Sequence, residues 1–442
     1  MPPYSLGNHS ITRYTTSLIV ARGCPKQGSG PTIRASAAVR MPPVVTAAAA
    51  SASPGAPPSA VAVPFRQHVT ADGSSGFPAE SGRYHLYVSY ACPWASRCLM
   101  ALKLKGLDDA ISVTVSSFRY KHILYKHYHD ANMMPNFMVL KLKGLDDAIS
   151  VTSYMEYSLP TCPLFSPTPT LLTWQVLNPT WVRTREGEEH FGWAFPSAEG
   201  DAEEPGAQPD PIFGAHFVRD IYEKIDPSYK TFSVPILFDK KSGTIVNNES
   251  AEIMRMLNSE FNAVAANPHV DLYPSAMRGA IDGVNEWVGP AINSGVFKCG
   301  FAKEQAAYDV AVATLFSALD RCEDILSKQR YMAGDAVTEA DIRLFVDLIR
   351  FDEVYYGHFN CNKRMIQEYP NLFNYTKEIF QLPGIASTVD MVHIRKKFFC
   401  SPNALNPFAI CPIGRNIDYS EPHNRNKLPF EPLVLGTTKS GL

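Results

Sequence analysis

Apolar and polar positions first fall into a regular pattern near Arg83. Tyr84-His85-Leu86-Tyr87-Val88-Ser89-Tyr90 is β-branched and aromatic with apolar alternation, which predicts a strand. Cys92-Pro93 follows, and Pro93 suits a first helical position because it has no N–H to leave unpaired. A helix is expected from Trp94 to about Lys105, closed by Gly106. Ala110 to Val115 reads as a second short strand. The unit is strand–helix–strand with a cysteine at the helix start. Further on, Phe213 to Lys224 has helical spacing. Val234-Pro235-Ile236-Leu237-Phe238-Asp239 is a strand opened by proline, and Gly243-Thr244-Ile245-Val246 is its hairpin partner. Asn247-Asn248-Glu249-Ser250 start a helix to about Leu257. From Tyr273 to Phe399 the pattern is mostly helical, with one explicit helix entry at Thr338-Glu339-Ala340-Asp341. Capping accounts for Thr338 and Asp341, so both are structural. The Pro-rich remainder, 401–442, is expected to be an irregular tail that wraps around.

One stretch breaks the pattern. The 13 residues from Leu102 to Thr114 recur unchanged from Leu140 to Thr152. A single identical copy is not a solenoid period, which needs several diverged repeats. A second helix end plus strand also has no place in a strand–helix–strand unit. Residues 115–173 are therefore expected to be a partial duplication or mis-spliced insertion, with the first copy, contiguous with Cys92, in the sheet. Coherent sequence resumes at Val176.

Composition adds limits. Of 442 residues, 45% are hydrophobic and 19% charged, and the formal net charge is −2. That suits globular domains with a sizeable core and gives no basic excess for nucleic acid or an anionic membrane surface. No apolar run reaches the length of a transmembrane helix. The nine cysteines are odd in number and without metal-like spacing, which argues for free thiols and no metal site. The first 71 residues contain no Asp or Glu but carry Arg13, Arg22, Lys26, Arg34, Arg40 and Arg66 among many Ser, Ala and Pro. This is the composition of an organelle transit peptide, with Ile33-Arg34-Ala35-Ser36 as a processing site. Residues 1–65 are assigned to that leader, chloroplast ahead of mitochondrion or cytoplasm; the competing reading is a disordered Ala/Pro-rich tail.

The chemistry centres on Cys92. A thiol at a helix N-terminus feels unpaired N–H groups and the positive end of the dipole, so its pKa is expected to fall from about 8.5 toward about 3.5–7.5. A thiolate is then the nucleophile. A Cys-x-x-Cys pair would resolve a mixed disulfide internally, but the fourth position is Ala95, so an external thiol must do it, and glutathione is the abundant one. Cys98 lies too far along the helix and on the wrong face.

Gly82 to Ala95, Thr244 to Ile253 and Val354-Tyr355-Tyr356-Gly357-His358-Phe359 resemble the glutathionyl-hydroquinone reductases, the Xi-class glutathione transferases. The resemblance covers about 65–114 and 175–420. It implies the glutathione transferase architecture: an α/β thioredoxin-like N-terminal domain (66–262) plus an all-α C-terminal domain (270–400), assembled as a homodimer. It also implies a cis Val234–Pro235 bond whose backbone pairs with glutathione. Glu249 would take the γ-glutamyl amine, and Ser250 with the helix N–H groups its carboxylate. Trp193 matches a tryptophan that lines the glutathione site. In the family, tyrosines hydrogen-bond the quinol. Tyr355 holds one such position, while Phe297 and Phe398-Phe399 stand where two others are expected, keeping the aromatic wall and losing the O–H. The segment Tyr229 to Ser233 is also shorter than its counterpart and lacks an arginine near the carboxylate.

The resulting expectation is an enzyme that reduces glutathionyl-hydroquinones through a Cys92–glutathione mixed disulfide. Glutathione is co-substrate, and no bound cofactor is needed because both steps are sulfur exchange. The alternatives are an omega-like thiol transferase or dehydroascorbate reductase with the same cysteine, and a non-enzymatic ligand-binding protein if the insertion disables the site.

Overall fold

The computed structural model describes residues 65–114, 177, 179–196, 209–401 and 404–433. The leader assigned to 1–65, apart from Phe65, and the insertion assigned to 115–173 lie outside the described residues.

Strand β1 (Tyr84–Tyr87) is the hub of a four-stranded sheet. It pairs in parallel with β2 (Ser112–Thr114) on one side, Leu86 opposite Val113. On the other side it is antiparallel to a strand at Ile236–Asp239, Leu86 opposite Leu237. All four β1 residues are buried, because both faces of the strand are covered. His85 is held between Ser112 Oγ at 2.8 Å and Thr114 Oγ1 at 2.6 Å, and burial pulls its imidazole down to about 3.

Helix α1 (Pro93–Lys105) starts directly after Cys92, with Pro93 in its first turn. It ends at Gly106, whose φ of 62° is left-handed. Leu107 N–H donates back to the Leu102 carbonyl at 3.1 Å, closing the last turn. A Cβ at Gly106 would meet Ala266 Cβ at 2.7 Å, so the position excludes a side chain as well as favouring glycine.

Two two-residue strands, β3 (Val182–Arg183) and β4 (Phe191–Gly192), form a separate ribbon. Helix α2 (Val218–Ile225) begins five residues later than its spacing suggested. The reason is Asp210: its carboxylate accepts from the N–H groups of Phe213 and Ala215 at 2.9 and 3.1 Å and holds that segment out of helix. Strands β5 (Ile236–Asp239) and β6 (Thr244–Asn247) form the hairpin, and α3 (Ser250–Ser259) packs along α1. The order β2–β1–β5–β6 with a parallel pair on one side and a hairpin on the other is thioredoxin-like.

Order also begins earlier than Arg83. Arg66 bridges Asn247, Gln67 N–H donates to the Val246 carbonyl at 3.0 Å, and Val69 is buried. These residues cover the β6 edge without forming a strand of their own, so no periodicity announces them.

The rest is helical: α4 (Arg278–Val288), α5 (Gly295–Gly300), α6 (Gln305–Leu326), α7 (Glu339–Arg350), α8 (Pro370–Gln381) and α9 (Met391–Cys400). Helix α7 is buried almost all round and is the core of this domain. Its entry is the expected one: Asp341 accepts from Thr338 N–H at 2.8 Å, and also from Met332 N–H and the Tyr375 hydroxyl, both at 2.8 Å. Two π turns, Gly289–Asn293 and Phe351–Tyr355, interrupt the helices next to α7. The described tail, 404–433, is irregular apart from a 3-10 helical turn at Arg425–Lys427. Arg425 is fully buried, and its guanidinium donates to the carbonyls of Leu326, Gln329 and Arg330 at 2.6, 2.8 and 2.7 Å. That closes the open end of α6 and pins the tail to it.

Candidate active site

Cys92 is the N-cap of α1 and is partly buried. Its thiol donates to the Val234 carbonyl at 3.6 Å, and the Val234–Pro235 bond is cis. Ala95, the position of a resolving thiol in other redox helices, is fully buried. Cys98 is buried too, donates to the Ser250 carbonyl at 3.4 Å, and is pushed well up by burial, so it is inert. None of the seven described cysteines is in a disulfide.

The expected acidity of Cys92 needs correcting. Burial pushes the thiol up. The N–H groups of Ala95 and Trp94 and the charges of Arg350 and Lys397 pull the other way without reversing it. A helix N-terminus lowers a thiol pKa when the sulfur stays wet; here desolvation between two domains is the larger effect. The sulfur therefore needs a base when it attacks.

Glu249 and Ser250 stand at the start of α3. Glu249 Oε1 accepts from Ala251 N–H at 3.2 Å and from Ser250 Oγ at 3.3 Å, so capping uses this oxygen. Its second oxygen faces Arg66 Nη2 at 3.9 Å. Trp193 is buried after β4 and meets Trp181 edge to face, centroids 5.9 Å apart.

The three residues assigned to the acceptor pocket come together. The Tyr355 ring lies 6.1 Å from Phe297 and 5.6 Å from Phe398, and it stacks on Phe359 at 5.5 Å. His358 closes this wall against Phe399 at 4.8 Å; burial pulls its imidazole down to about 4, with Lys397 adding to the effect, so it is neutral near pH 7. The Tyr355 hydroxyl is not turned to this wall. It donates to Asp347 Oδ1 at 3.1 Å from a fully buried side chain.

Several groups had no signal in the sequence. Arg350, at the end of α7, donates to the Tyr90 carbonyl at 2.7 Å and Ser96 Oγ at 2.8 Å, tying the loop before Cys92 to the helical domain. Trp181 and Lys397 were also missed: Lys397 Nζ lies 3.4 Å from the Trp181 ring centre and 5.3 Å from that of Trp193. A cavity of about 500 Å³ lined by Gly283, Trp287, Lys298 and Arg321 lies on the helical domain and does not include Cys92. No group of metal-ligating side chains occurs among the described residues.

A single half-buried thiol at a helix start, facing a backbone carbonyl and a capped second helix, suits sulfur exchange with a tripeptide thiol. Residues 305–378 match the family model for the glutathione S-transferase C-terminal domain. The glutathionyl-hydroquinone reductase YqjG of Escherichia coli is 39% identical over 369 residues, covering 82% of this chain and 90% of that protein. This chain belongs to the glutathionyl-hydroquinone reductase family. The glutathione-bound structure of YqjG covers 82% of the chain at a TM-score of 0.63, with 96% of that structure matched. An Xi-class glutathione transferase from Natrialba magadii, 36% identical, covers 84% of the chain and 93% of its own, at a TM-score of 0.66. In this family member, then, Cys92 occupies the start of the first helix of the thioredoxin-like domain, and the aromatic wall belongs to the helical domain.

Proposed function

We propose that the protein reduces glutathionyl-hydroquinones to hydroquinones at the expense of glutathione. Cys92 sulfur attacks the glutathionyl sulfur of the substrate's keto tautomer, an S–S bond forms, and the C–S bond breaks, its electron pair passing to the ring oxygen, which takes up the proton lost by the thiol to give the hydroquinone. A second glutathione attacks Cys92–S–SG and leaves as glutathione disulfide. The observation that carries this reading is a helix-start thiol with no resolving partner in its own turn: Cys92 faces the Val234 carbonyl at 3.6 Å, with Ala95 where a resolving cysteine would stand. In the reading, the Val234 backbone pairs with the cysteinyl part of glutathione, Glu249 and Ser250 hold the γ-glutamyl end, and Trp193 walls the site. Phe297, Tyr355 and Phe398 enclose the hydroquinone ring. Sulfur exchange draws on no metal or redox cofactor. The protein acts as a homodimer in the chloroplast, the acid-poor, Arg- and Ser-bearing leader being the support for that location.

One observation favours a second reading. The wall of Phe297, Phe359, Phe398 and Phe399 offers no hydroxyl to a quinol oxygen, which suits omega-like thiol transfer from glutathionylated disulfides. Steady-state rates on a glutathionyl-hydroquinone and on a glutathione mixed disulfide decide between them. The hydroquinone reading predicts the higher kcat/KM for the thioether, and a preference for the disulfide would replace it.

A further inference from the structure

Thiol attack on a glutathionyl-hydroquinone poses a proton problem. The reactive form of the substrate is the keto tautomer, whose sulfur-bearing ring carbon already carries hydrogen. When the C–S bond breaks, its electron pair moves to the ring oxygen, which needs a proton. Cys92, held up by burial, has a proton to lose at the same moment. The phenylalanines of the wall carry no proton to give, the Tyr355 hydroxyl is bonded to Asp347, and His358, pulled down to about 4, holds no imidazolium proton to give near pH 7.

We propose that Lys397 carries the proton from Cys92 to the departing hydroquinone oxygen, a role that rests on the hydroquinone reading above. Helix α9 presents Lys397 next to Phe398 and Phe399 of the acceptor wall. Its amine lies 3.4 Å from the Trp181 ring centre, 5.3 Å from that of Trp193 and 3.4 Å from Ser401 Oγ. None of the ion pairs among the described residues involves it, unlike its neighbour Arg395, which pairs with Glu353 at 3.3 Å. An ammonium held by indole quadrupoles and one long hydrogen bond to a hydroxyl, with no carboxylate partner, keeps a proton that can move. The titratable groups coupled to it are Cys92 at the start of α1 and His358 in the wall, and Arg350 at the end of α7 is the other cation acting on Cys92. Desolvation brings the Lys397 ammonium down to about 7, with Cys92 the group that opposes the fall. A base with that value is half-deprotonated near neutrality, as proton transfer at that pH requires.

The balance closes over both half-reactions. The amine takes the Cys92 proton as sulfur attacks, and the ammonium passes it to the ring oxygen, giving hydroquinone and Cys92–S–SG. The amine then takes the proton of the incoming glutathione and returns it to Cys92 as glutathione disulfide leaves. The two sulfurs are oxidised and the ring carbon is reduced by the same electron pair.

The test compares Lys397→Met, Lys397→Gln and Lys397→Arg with the wild-type chain on two substrates. One is a glutathionyl-hydroquinone. The other is the mixed disulfide of glutathione and 2-mercaptoethanol, whose leaving thiolate needs less help. Iodoacetamide alkylation of Cys92 against pH and a thermal melt serve as controls for the thiol and the fold. Lys397→Met and Lys397→Gln should lower kcat on the thioether by about 100-fold. Their loss on the disulfide should be at least ~10-fold smaller, and the limb near pH 7 in the thioether profile should disappear. Lys397→Arg should fail to rescue, because guanidinium keeps its proton. Equal losses on both substrates, or rescue by arginine, would overturn the relay and leave only a positive charge beside the sulfur. Wild-type disulfide exchange without thioether cleavage would instead overturn the hydroquinone reading and this role with it.

Discussion

Tyr355 donates its hydroxyl to Asp347 at 3.1 Å, and the opposite oxygen of the same carboxylate accepts from Asn293 Nδ2 at 2.6 Å. The two π turns deliver these donors: Asn293 ends one and Tyr355 ends the other. Such bulges reorient side chains that a regular helix would point elsewhere. The tyrosine that the resemblance places in the acceptor pocket is thus spent on a buried carboxylate. Tyr355→Phe should cost about 1–3 kcal/mol of stability, from an acceptor left short of a donor. Its kcat/KM on a glutathionyl-hydroquinone should fall by less than about ten-fold, since the ring and its stacking survive. Urea unfolding alongside steady-state kinetics checks both. A large loss of kcat with unchanged stability would put the hydroxyl on the substrate.

Asp347 itself makes folding depend on pH. Burial raises its carboxyl from the ordinary 3.8 to about 6, against the pull of Arg97, Arg350, Asn293 and Tyr355. The folded state holds this proton more tightly than the unfolded chain does. Its contribution to stability is fully present below 3.8 and is lost as pH rises through about 6. Wild-type stability should therefore decline across that window, and Asp347→Asn, which has no proton to lose, should show a flatter profile. Unfolding free energies measured from about pH 4 to about pH 7 decide it. Parallel profiles for the two proteins would count against a raised carboxyl.

The Cys92 thiol is the group that burial holds neutral. In the free protein its alkylation by iodoacetamide should keep rising beyond pH 9, the ordinary value for a cysteine, because burial stabilises the neutral thiol. Removing Lys397 as a counter-charge should move that limb higher still. Cys92→Ser should lose essentially all turnover, about 1000-fold or more, and should lose the glutathionyl adduct at position 92 that glutathione disulfide leaves on the wild type. Peptide-mapping mass spectrometry separates that adduct from one on the exposed Cys411. A midpoint well below 9 would show that the helix N-terminus outweighs desolvation.

What the chain spells out locally was readable, and what it assembles from distant segments was not. The strand, Cys92, Pro93 and the Gly106 stop lie within one short span, each with its own backbone preference, and the structure has them in that order. The Thr338–Asp341 entry was legible for the same reason. Arg350 and Asp347 look like ordinary polar positions on an amphipathic helix, and only packing shows that α7 is buried all round. Lys397 and Trp181 are more than 200 residues apart, so no window contains both. The depressed thiol pKa expected for Cys92 failed because helix position is local while desolvation depends on the whole fold. Residues 66–82 pack by isolated bridges and side-chain contacts, such as Arg66 Nη1 to Glu252 Oε1 at 2.6 Å, which leave no period to read.

Glu249 separates capping from ligand binding, because its two oxygens have different neighbours. Oε1 accepts from Ala251 N–H and Ser250 Oγ, whereas Oε2 faces the half-exposed Arg66 at 3.9 Å. Glu249→Gln keeps a carbonyl oxygen for the cap and removes the charge. Glu249→Ala removes both and should cost a further ~0.5–2 kcal/mol of stability from the lost cap. If Oε2 receives the γ-glutamyl ammonium, the Gln variant should bind glutathione about 10- to 100-fold more weakly, the worth of a charge-assisted hydrogen bond, with its melting temperature little changed. Calorimetric titration in a Cys92→Ser background gives the affinity without turnover. Arg66→Met should act in the opposite sense: with a competing cation gone, glutathione should bind modestly more tightly. Unchanged affinity in Glu249→Gln, with destabilisation only in Glu249→Ala, would reduce Glu249 to a helix cap and move the γ-glutamyl anchor elsewhere.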